Sequence, residues 1–229
     1  MTIVVATRNS GKLREMRALF RLALPHIKDV QLTSMREFPD LPPIEEQGAT
    51  FHENARHKAL VVANHTGLMA IGDDSGLMVD ALDGAPGIFS ARYAGPAARD
   101  GANNRKLLDA LRDVPDSQRG ARFVCVIAVA LPHNVLGLFE GACHGMIAHE
   151  PHGGNGFGYD PLFIKTDYGK SFAELPASVK NRVSHRAHAF EKAAVVVAAG
   201  TAYGQHGEGF IRISLTVADR RLEEAMERI

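Results

Sequence analysis

Leu68-Met69-Ala70-Ile71-Gly72-Asp73-Asp74-Ser75-Gly76-Leu77-Met78-Val79-Asp80-Ala81-Leu82 is the stretch on which the reading of this chain turns. A short apolar run leads into two adjacent carboxylates, a hydroxyl and a glycine. The run reads as an interior strand. Residues at the end of such a strand lie at a sheet edge, where ligands of α/β proteins bind. Oxygen-rich groups of this kind suit a hard cation. Mg²⁺ in particular is commonly held by one or two carboxylates together with substrate phosphates. Taken alone, the same residues equally describe a solvated strand end and a turn, because acids are mostly exposed. The surrounding chain decides between the two.

Upstream, residues 2–6 read as a buried first strand and Thr7-Arg8-Asn9-Ser10-Gly11-Lys12 as a polar turn. A helix follows, with Leu13, Met16, Leu19, Phe20 and Ala23 on one face, and Pro25 ends it. Pro39, Pro42 and Pro43 make residues 38–48 a loop. Thr50 and Glu53 form a capping-box pattern that opens a second helix. Its inner face is Phe51, Ala55, Ala59, Val62 and Ala63, and Gly67 stops it. Downstream, residues 83–100 form a long loop rich in Gly, Ala and Pro, and residues 103–111 a short helix. Residues 122–131 and 135–147 are two long β-runs joined by Pro132-His133-Asn134. A glycine-rich loop spans 149–159. A third major helix spans 176–199 and is broken by Gly200. The expected fold is α/β: a mixed β-sheet flanked by helices.

Bulk properties narrow the function. The 229 residues suffice for one large domain or two small ones. Lys plus Arg and Asp plus Glu number 26 each. No global field therefore favours DNA or an anionic membrane, and any anion site must be built locally. The histidines are scattered, without the H-E-x-x-H spacing of a zinc helix. Cys125 and Cys143 lie in apolar, strand-like runs and read as buried free thiols in a reducing compartment. The N-terminus has no basic n-region with a long apolar run, and no apolar stretch approaches a membrane span. A cytoplasmic protein is the default expectation.

Three further segments carry chemistry. Thr7 to Lys12 sits between a strand and a helix, where backbone N–H groups, the positive helix end and Lys12 would cradle phosphate; a polar structural turn is the plain alternative. Gly153-Gly154-Asn155-Gly156-Phe157-Gly158-Tyr159-Asp160-Pro161 lets backbone approach a ligand closely. Phe157 or Tyr159 could stack on a base, and Asp160 could accept from a ring N–H or join the metal shell. Lys180, Ser184, His185 and Arg186 gather polar groups at the start of an otherwise Ala- and Val-rich helix, suited to an anion or a base edge. Glu45 and Glu46, in the Pro-rich loop, offer a second carboxylate for a metal near Asp74.

Together these pieces resemble the inosine triphosphate pyrophosphatase family, the bacterial dITP/XTP diphosphatases also called Ham1-like proteins. The matching segments are Ala6 with Thr7-Arg8-Asn9-Ser10-Gly11-Lys12, Gly72-Asp73-Asp74-Ser75-Gly76-Leu77 with Val79-Asp80-Ala81-Leu82, and Pro86-Gly87-Ile88-Phe89-Ser90-Ala91-Arg92-Tyr93-Ala94-Gly95. To these are added Gly156-Phe157-Gly158-Tyr159-Asp160-Pro161-Leu162-Phe163 and Lys180-Asn181 with Ser184-His185-Arg186. The resemblance spans about residues 1–199. It implies a homodimer whose subunit is an elongated mixed sheet with helices forming two lobes, the nucleotide lying in the cleft between them. It also implies Mg²⁺-dependent hydrolysis of ITP, dITP or XTP to monophosphate and pyrophosphate, which cleanses the nucleotide pool.

Carried over residue by residue, Thr7, Arg8, Asn9, Ser10, Gly11 and Lys12 would hold the triphosphate. Asp74 would be the general base or principal Mg²⁺ ligand, and Ser75 would touch substrate. Glu45 would be the second metal ligand, with Glu46 its adjacent alternative. Phe157, Gly158, Tyr159 and Asp160 would bind the base, Lys180 would reach phosphate or base, and His185 with Arg186 would read the purine edge.

Residues 200–229 depart from that pattern. Gly204-Gln205-His206-Gly207-Glu208-Gly209-Phe210-Ile211-Arg212-Ile213-Ser214-Leu215 resembles the C-terminal end of a fold-type I aminotransferase, and a strand plus helix is expected there. It reads as a passenger without transaminase activity or as an extension with an accidental likeness. Two other functional readings stand beside the enzyme: a nucleotide-binding sensor that does not hydrolyse, and a Maf-like pyrophosphatase acting on other bases.

Overall fold

Alternation of apolar side chains along β1 (Thr2–Val5) sets the layering. Ile3 and Val5 enter one core, and Val4, with Ala6 beyond the strand end, enters another. Successive strand residues point to opposite faces of a sheet, so this strand is covered on both sides. The structure, a computed structural model, describes residues 1–25, 27 and 30–197. The sequence reading of 200–229 lies outside the described residues.

Seven strands form one mixed sheet in the order β2-β1-β3-β4-β5-β6-β7. β1 pairs in parallel with β2 (Gln31–Ser34) and β3 (Met69–Val79). From β3 onward every pairing is antiparallel, through β4 (Gly120–Leu131), β5 (Asn134–Ile147), β6 (Phe163–Lys165) and β7 (Lys170–Ser171). Helices α1 (Ser10–Ala23) and α5 (His185–Val197) bury Met16, Leu19, Phe20, Ala189, Phe190 and Ala193 against Ile3, Val5, Ile71, Ile127 and Val129. On the opposite face, α2 (Phe51–Thr66) lays Ala55, Ala59, Val62 and Ala63 on Val4, Ala70, Val126 and Ala128. A third core lies farther along the sheet. There Leu77, Val79, Phe123, Phe163 and Phe172 meet Leu107 and Leu111, at and just beyond α3 (Asp100–Ala110). Each fully buried side chain of the Leu, Ile or Phe kind contributes about 1.5–3 kcal/mol of transfer free energy.

Local signals explain the helix ends. Asn9 caps α1, its Oδ1 accepting from the N–H groups of Gly11 at 2.8 Å and Lys12 at 3.1 Å. Thr50 Oγ1 accepts from Glu53 N–H at 3.1 Å, and the Glu53 carboxylate reaches back to Ala49 N–H at 2.7 Å. The return bond therefore lands one residue earlier than in the usual capping box. Gly67, with φ of +70°, closes α2 in the left-handed region, as its sequence position predicts. The Pro132-His133 turn also joins its two strands as read from sequence.

Three local expectations are corrected. First, β3 does not end at the acids. Its pairing with β4 runs unbroken from Ala70↔Ala130 to Val79↔Ala121, so Asp73 and Asp74 are mid-strand. Acids are tolerated there because each meets a cation, and Gly72 lets α2 approach so closely that a Cβ would sit 2.1 Å from the Ala55 carbonyl oxygen. Second, the helix expected over 176–199 is two helices, α4 (Ala177–Val183) and α5. Ser184 between them is extended, with ψ of 156°, and its Oγ accepts from Ala187 N–H at 3.2 Å. Serine's preference for a cap over a helix interior wins there. Third, α3 begins at Asp100 rather than 103, and the loop before it contains a 3₁₀ segment, Gly87–Arg92.

Candidate active site

β1 ends at Val5, and β3 continues for eight residues beyond its last pairing with β1 at Ile71. Residues 85–90 cover the far part of that β3 edge, and the part nearer β1 is reached by Lys12 from the start of α1. This carboxyl end of β1, with β3 paired on one side and β2 on the other, is where an open α/β sheet presents a crevice. The period of two then divides the acids. Asp73 faces the α1–α5 layer and Asp74 faces α2.

Asp73 is only 2% exposed. It accepts from Lys12 Nζ at 2.6 Å, Arg186 Nε at 2.7 Å, Ser75 Oγ at 3.1 Å and the Cys125 thiol. Burial alone would raise its pKa, but Arg186 and Lys12 hold the carboxyl well below the ordinary carboxylate range. Asp74 is held differently. Its Oδ1 accepts from Lys58 Nζ at 2.7 Å and its Oδ2 from Asn54 Nδ2 at 3.2 Å. Burial pushes its pKa up; Lys58 and Lys12 pull it back only in part. Of the two neighbours, Asp74 is the more basic carboxylate.

Lys58 Nζ also donates to Glu46 at 2.9 Å, and Arg92 donates to the other Glu46 oxygen at 3.0 Å. Asp74 and Glu46 thus converge on one point through a shared lysine. Glu45, by contrast, is exposed and bonded to the side chain of Gln47. The loop acid that the structure brings to Asp74 is therefore Glu46. Lys12 lies close enough to lower the pKa of both Asp74 and Glu46.

On the Asp73 side opens a cavity of about 120 Å³. Its walls include Lys12, Ser75, Phe157, Lys180, His185 and Arg186. His185 stacks on Phe123 with centroids 4.7 Å apart and planes 15° from parallel. Burial, with Arg186 and Lys180 nearby, holds its imidazole well below the ordinary value, so the ring is neutral at pH 7. Its Nδ1 is buried with no hydrogen-bond partner among the described residues. Phe157 lies 5.0 Å from Lys180 Nζ and 5.8 Å from the Arg186 guanidinium carbon, measured to its ring centroid.

Lys180 is 5% exposed and donates to both Asp160 and Glu15, the latter at 2.7 Å. Arg186 donates to the other Glu15 oxygen and, at 2.9 Å, to Ser75 Oγ. Glu15 on α1 is therefore the shared anion of the two base-side cations. Burial opposes its charge, and Arg186 and Lys180 overcome that to lower its pKa.

The remaining expected residues are placed as follows. Thr7 is buried, and its Oγ1 accepts from Asn9 N–H at 3.1 Å. Arg8 and Ser10 are exposed. Two of the backbone donors expected for phosphate, at Gly11 and Lys12, are already used by Asn9. Tyr159 donates its hydroxyl to Ser90 O at 2.9 Å. Asp160 accepts from Phe157 N–H at 2.9 Å and from Lys180, so its role is to fix the loop and the lysine.

Asn54, Lys58, Glu15 and Arg92 were missed by the sequence reading. A signal existed for two of them. Asn54 and Lys58 stand four apart on the side of α2 that is otherwise apolar, a place where polar groups need partners. Cys125 and Cys143 are free and buried, as read. No helix among the described residues is long and apolar enough to cross a membrane.

Asp74 and Glu46 offer a hard cation two carboxylates, which here meet at the Lys58 ammonium. No group of three or more His, Cys, Asp or Glu side chains among the described residues forms a cage by itself.

The description of the Ham1 family matches residues 3–196 of this chain. A dITP/XTP pyrophosphatase of Geobacter sulfurreducens is 54% identical over 187 residues, covering 82% of this chain and 92% of the relative. A protein of the same name from Desulforamulus reducens is 49% identical, covering 84% and 94%. Among solved structures, a HAM1 protein from Coxiella burnetii superposes with a TM-score of 0.75 at 44% identity, over 86% of this chain and 98% of that one. The Ham1 protein of Staphylococcus aureus gives 0.74 at 38% identity, over 86% and 98%.

Proposed function

The chain belongs to the Ham1 family, and from that premise we propose how its residues perform the family's reaction. The enzyme hydrolyses non-canonical purine nucleoside triphosphates, of the dITP and XTP kind, to monophosphate and pyrophosphate. The base enters the cavity beside His185, and the triphosphate crosses the edge of β3 toward Lys12 and Asp74. The observation that carries this reading is the setting of Asp74: a buried carboxylate of raised pKa, fixed by Asn54 and Lys58 beside the β1–α1 loop.

Attack of water on phosphorus needs positioning and charge neutralisation more than covalent help. Asp74 orients the water and takes its proton, since Asp73 is already bonded to Arg186 and Lys12. Lys12, Lys58 and Arg92 supply positive charge around the phosphates. Asp74 and Glu46 would hold Mg²⁺, which when bound polarises phosphate oxygen and makes water more acidic. At the other end, neutral His185 presents an unpaired ring nitrogen to the base edge. Arg186, with its donors shared among Asp73, Glu15 and Ser75, orders the floor. A keto oxygen at the six-position accepts where an amino group would leave a donor unpaired, at a cost on the order of 1–3 kcal/mol per group.

The test is pyrophosphate release from ITP, XTP, dTTP and ATP with and without Mg²⁺. Rapid Mg²⁺-dependent turnover of ITP or XTP over ATP is expected. Tight binding without turnover would leave only a sensor, and a preference for dTTP would point to a different base site. The same reading includes a homodimer, for which light scattering should give twice the chain mass.

A further inference from the structure

We propose that α3 sets the fit of the base cavity through two positioning residues, Asp100 at the cavity wall and Asn104 one turn further on, that clamp the peptide groups of Gly158. The inference rests on the cavity being the purine site described above. Gly158 N–H donates to Asp100 Oδ2 at 2.7 Å, and Asn104 Nδ2 donates to Gly158 O at 3.1 Å. The two side chains stand four apart, on successive turns of one helix face. They take one donor and one acceptor of the same residue. The Asn104 amide cannot be turned over, because its oxygen would then face the Gly158 oxygen. In this orientation Asn104 Oδ1 is buried with no partner among the described residues. Its amide is therefore oriented by the bond to Gly158.

The clamp acts where the loop has least other support. Phe157 N–H is held by Asp160, and the Tyr159 hydroxyl is held by Ser90. Both residues line the cavity, as do Gly158 and Asp100 themselves. Gly158 joins these two anchored wall residues, and its side of the loop is tied back by α3. Asp74, Lys58 and Glu46 lie on the opposite face of β3 and make no bond to the clamp. Loosening Gly158 therefore relaxes the wall formed by Phe157 and Tyr159 without touching the groups that act on phosphorus. Substrate affinity and discrimination at the base should suffer, and the chemical step should not.

Three variants test this. Asp100→Ala removes the acceptor. Asn104→Asp keeps the shape and removes the donor. Asp100→Asn keeps an acceptor and should restore the clamp. For Asp100→Ala and Asn104→Asp the expected result is a KM for ITP raised about tenfold, with kcat within about twofold of the parent. The preference for ITP over ATP should fall by a similar factor, and amide exchange at Gly158 should accelerate while exchange in the β-sheet does not. Asp100→Asn should stay near the parent in all four readings. Unchanged exchange at Gly158 in both disruptive variants overturns the clamp whatever the substrate. A fall in kcat at constant KM, or equal damage from Asp100→Asn and Asp100→Ala, overturns the positioning role. Absence of pyrophosphate release from ITP by the parent protein would instead remove the purine-site reading, and Gly158 exchange would still decide the clamp.

Discussion

Asp73 and Asp74 are one peptide bond apart and live in opposite electrostatic settings, because a strand turns successive side chains to opposite faces. Asp73 is locked between Arg186 and Lys12 and stays ionised. Burial raises the pKa of Asp74 against Lys58 and Lys12. Replacing Asp74 by Asn retains the shape and removes the base. Pyrophosphate release from ITP should fall by at least about 100-fold, with an unchanged circular dichroism spectrum; a rate near that of the parent would take Asp74 out of the mechanism. The loop acids give a second contrast. Glu46 reaches Lys58 and Arg92, whereas Glu45 reaches only Gln47 among its described partners. Glu46→Gln should slow turnover by roughly tenfold and raise the Mg²⁺ concentration needed for half-maximal rate, while Glu45→Gln should stay within about twofold. The reverse order would return the second ligand position to Glu45. Lys12 drew attention in the sequence as a cation after Gly11 between a strand and a helix, Asp74 as one of paired acids in a glycine-flanked run, and His185 as one of several polar groups opening an Ala- and Val-rich stretch. Glu15 was not legible. On α1 it is one acid among several polar residues, and its value comes from Lys180 and Arg186, which arrive from more than 160 positions away.

At the scale of elements, the junction between α4 and α5 matters most. A single continuous helix would carry Lys180 and His185 round its axis together. The extended Ser184 instead starts α5 afresh and drives His185 against Phe123, 4% exposed. The sequence showed a helix there because Ala and Val continue on both sides of the break. A serine between two good helical segments reveals itself as a cap only when the direction of the second segment is known. The same limit explains why β3 was read as ending at its acids: pairing with β4 outweighs the poor strand preference of Asp and Gly. Burial of neutral His185 has a consequence for stability. Its folded pKa lies well below its unfolded value of about 6.5. The unfolded chain therefore binds the extra proton as pH falls, so the stability present above about pH 6.5 is lost below it. Between pH 6.5 and 5.5 the loss from this group should be on the order of 1 kcal/mol. Urea midpoints at pH 7.5 and 5.5 should differ in the parent, and the difference should shrink in His185→Gln. An equal difference in both would show that the ring titrates freely.

Over the whole molecule, the site draws on elements from both ends of the matched chain. It uses the loop after β1, the middle of β3, one face of α2, the loop before β6 and the start of α5, the last of them at Arg186. Sheet order brings these together: β1 sits between β2 and β3, so the first loop and the central acids meet although more than 60 residues separate Lys12 from Asp73. The mixed sheet and its helical layers could be anticipated from alternating strands and helices. The order of the strands could not, because parallel pairing of β1 with both neighbours leaves no local mark. The family match ends at residue 196. The solved relative from Coxiella burnetii is covered over 98% of its length by 86% of this chain. Every residue assigned to the reaction thus lies inside the part shared with relatives. A chain ending after Ala199 keeps every residue assigned to the reaction and should therefore hydrolyse ITP with kcat/KM within about threefold of the full chain. Light scattering and pyrophosphate release on the same preparation decide the matter. Loss of both the dimer and turnover would show that the segment beyond 199 is part of the working fold and not a passenger.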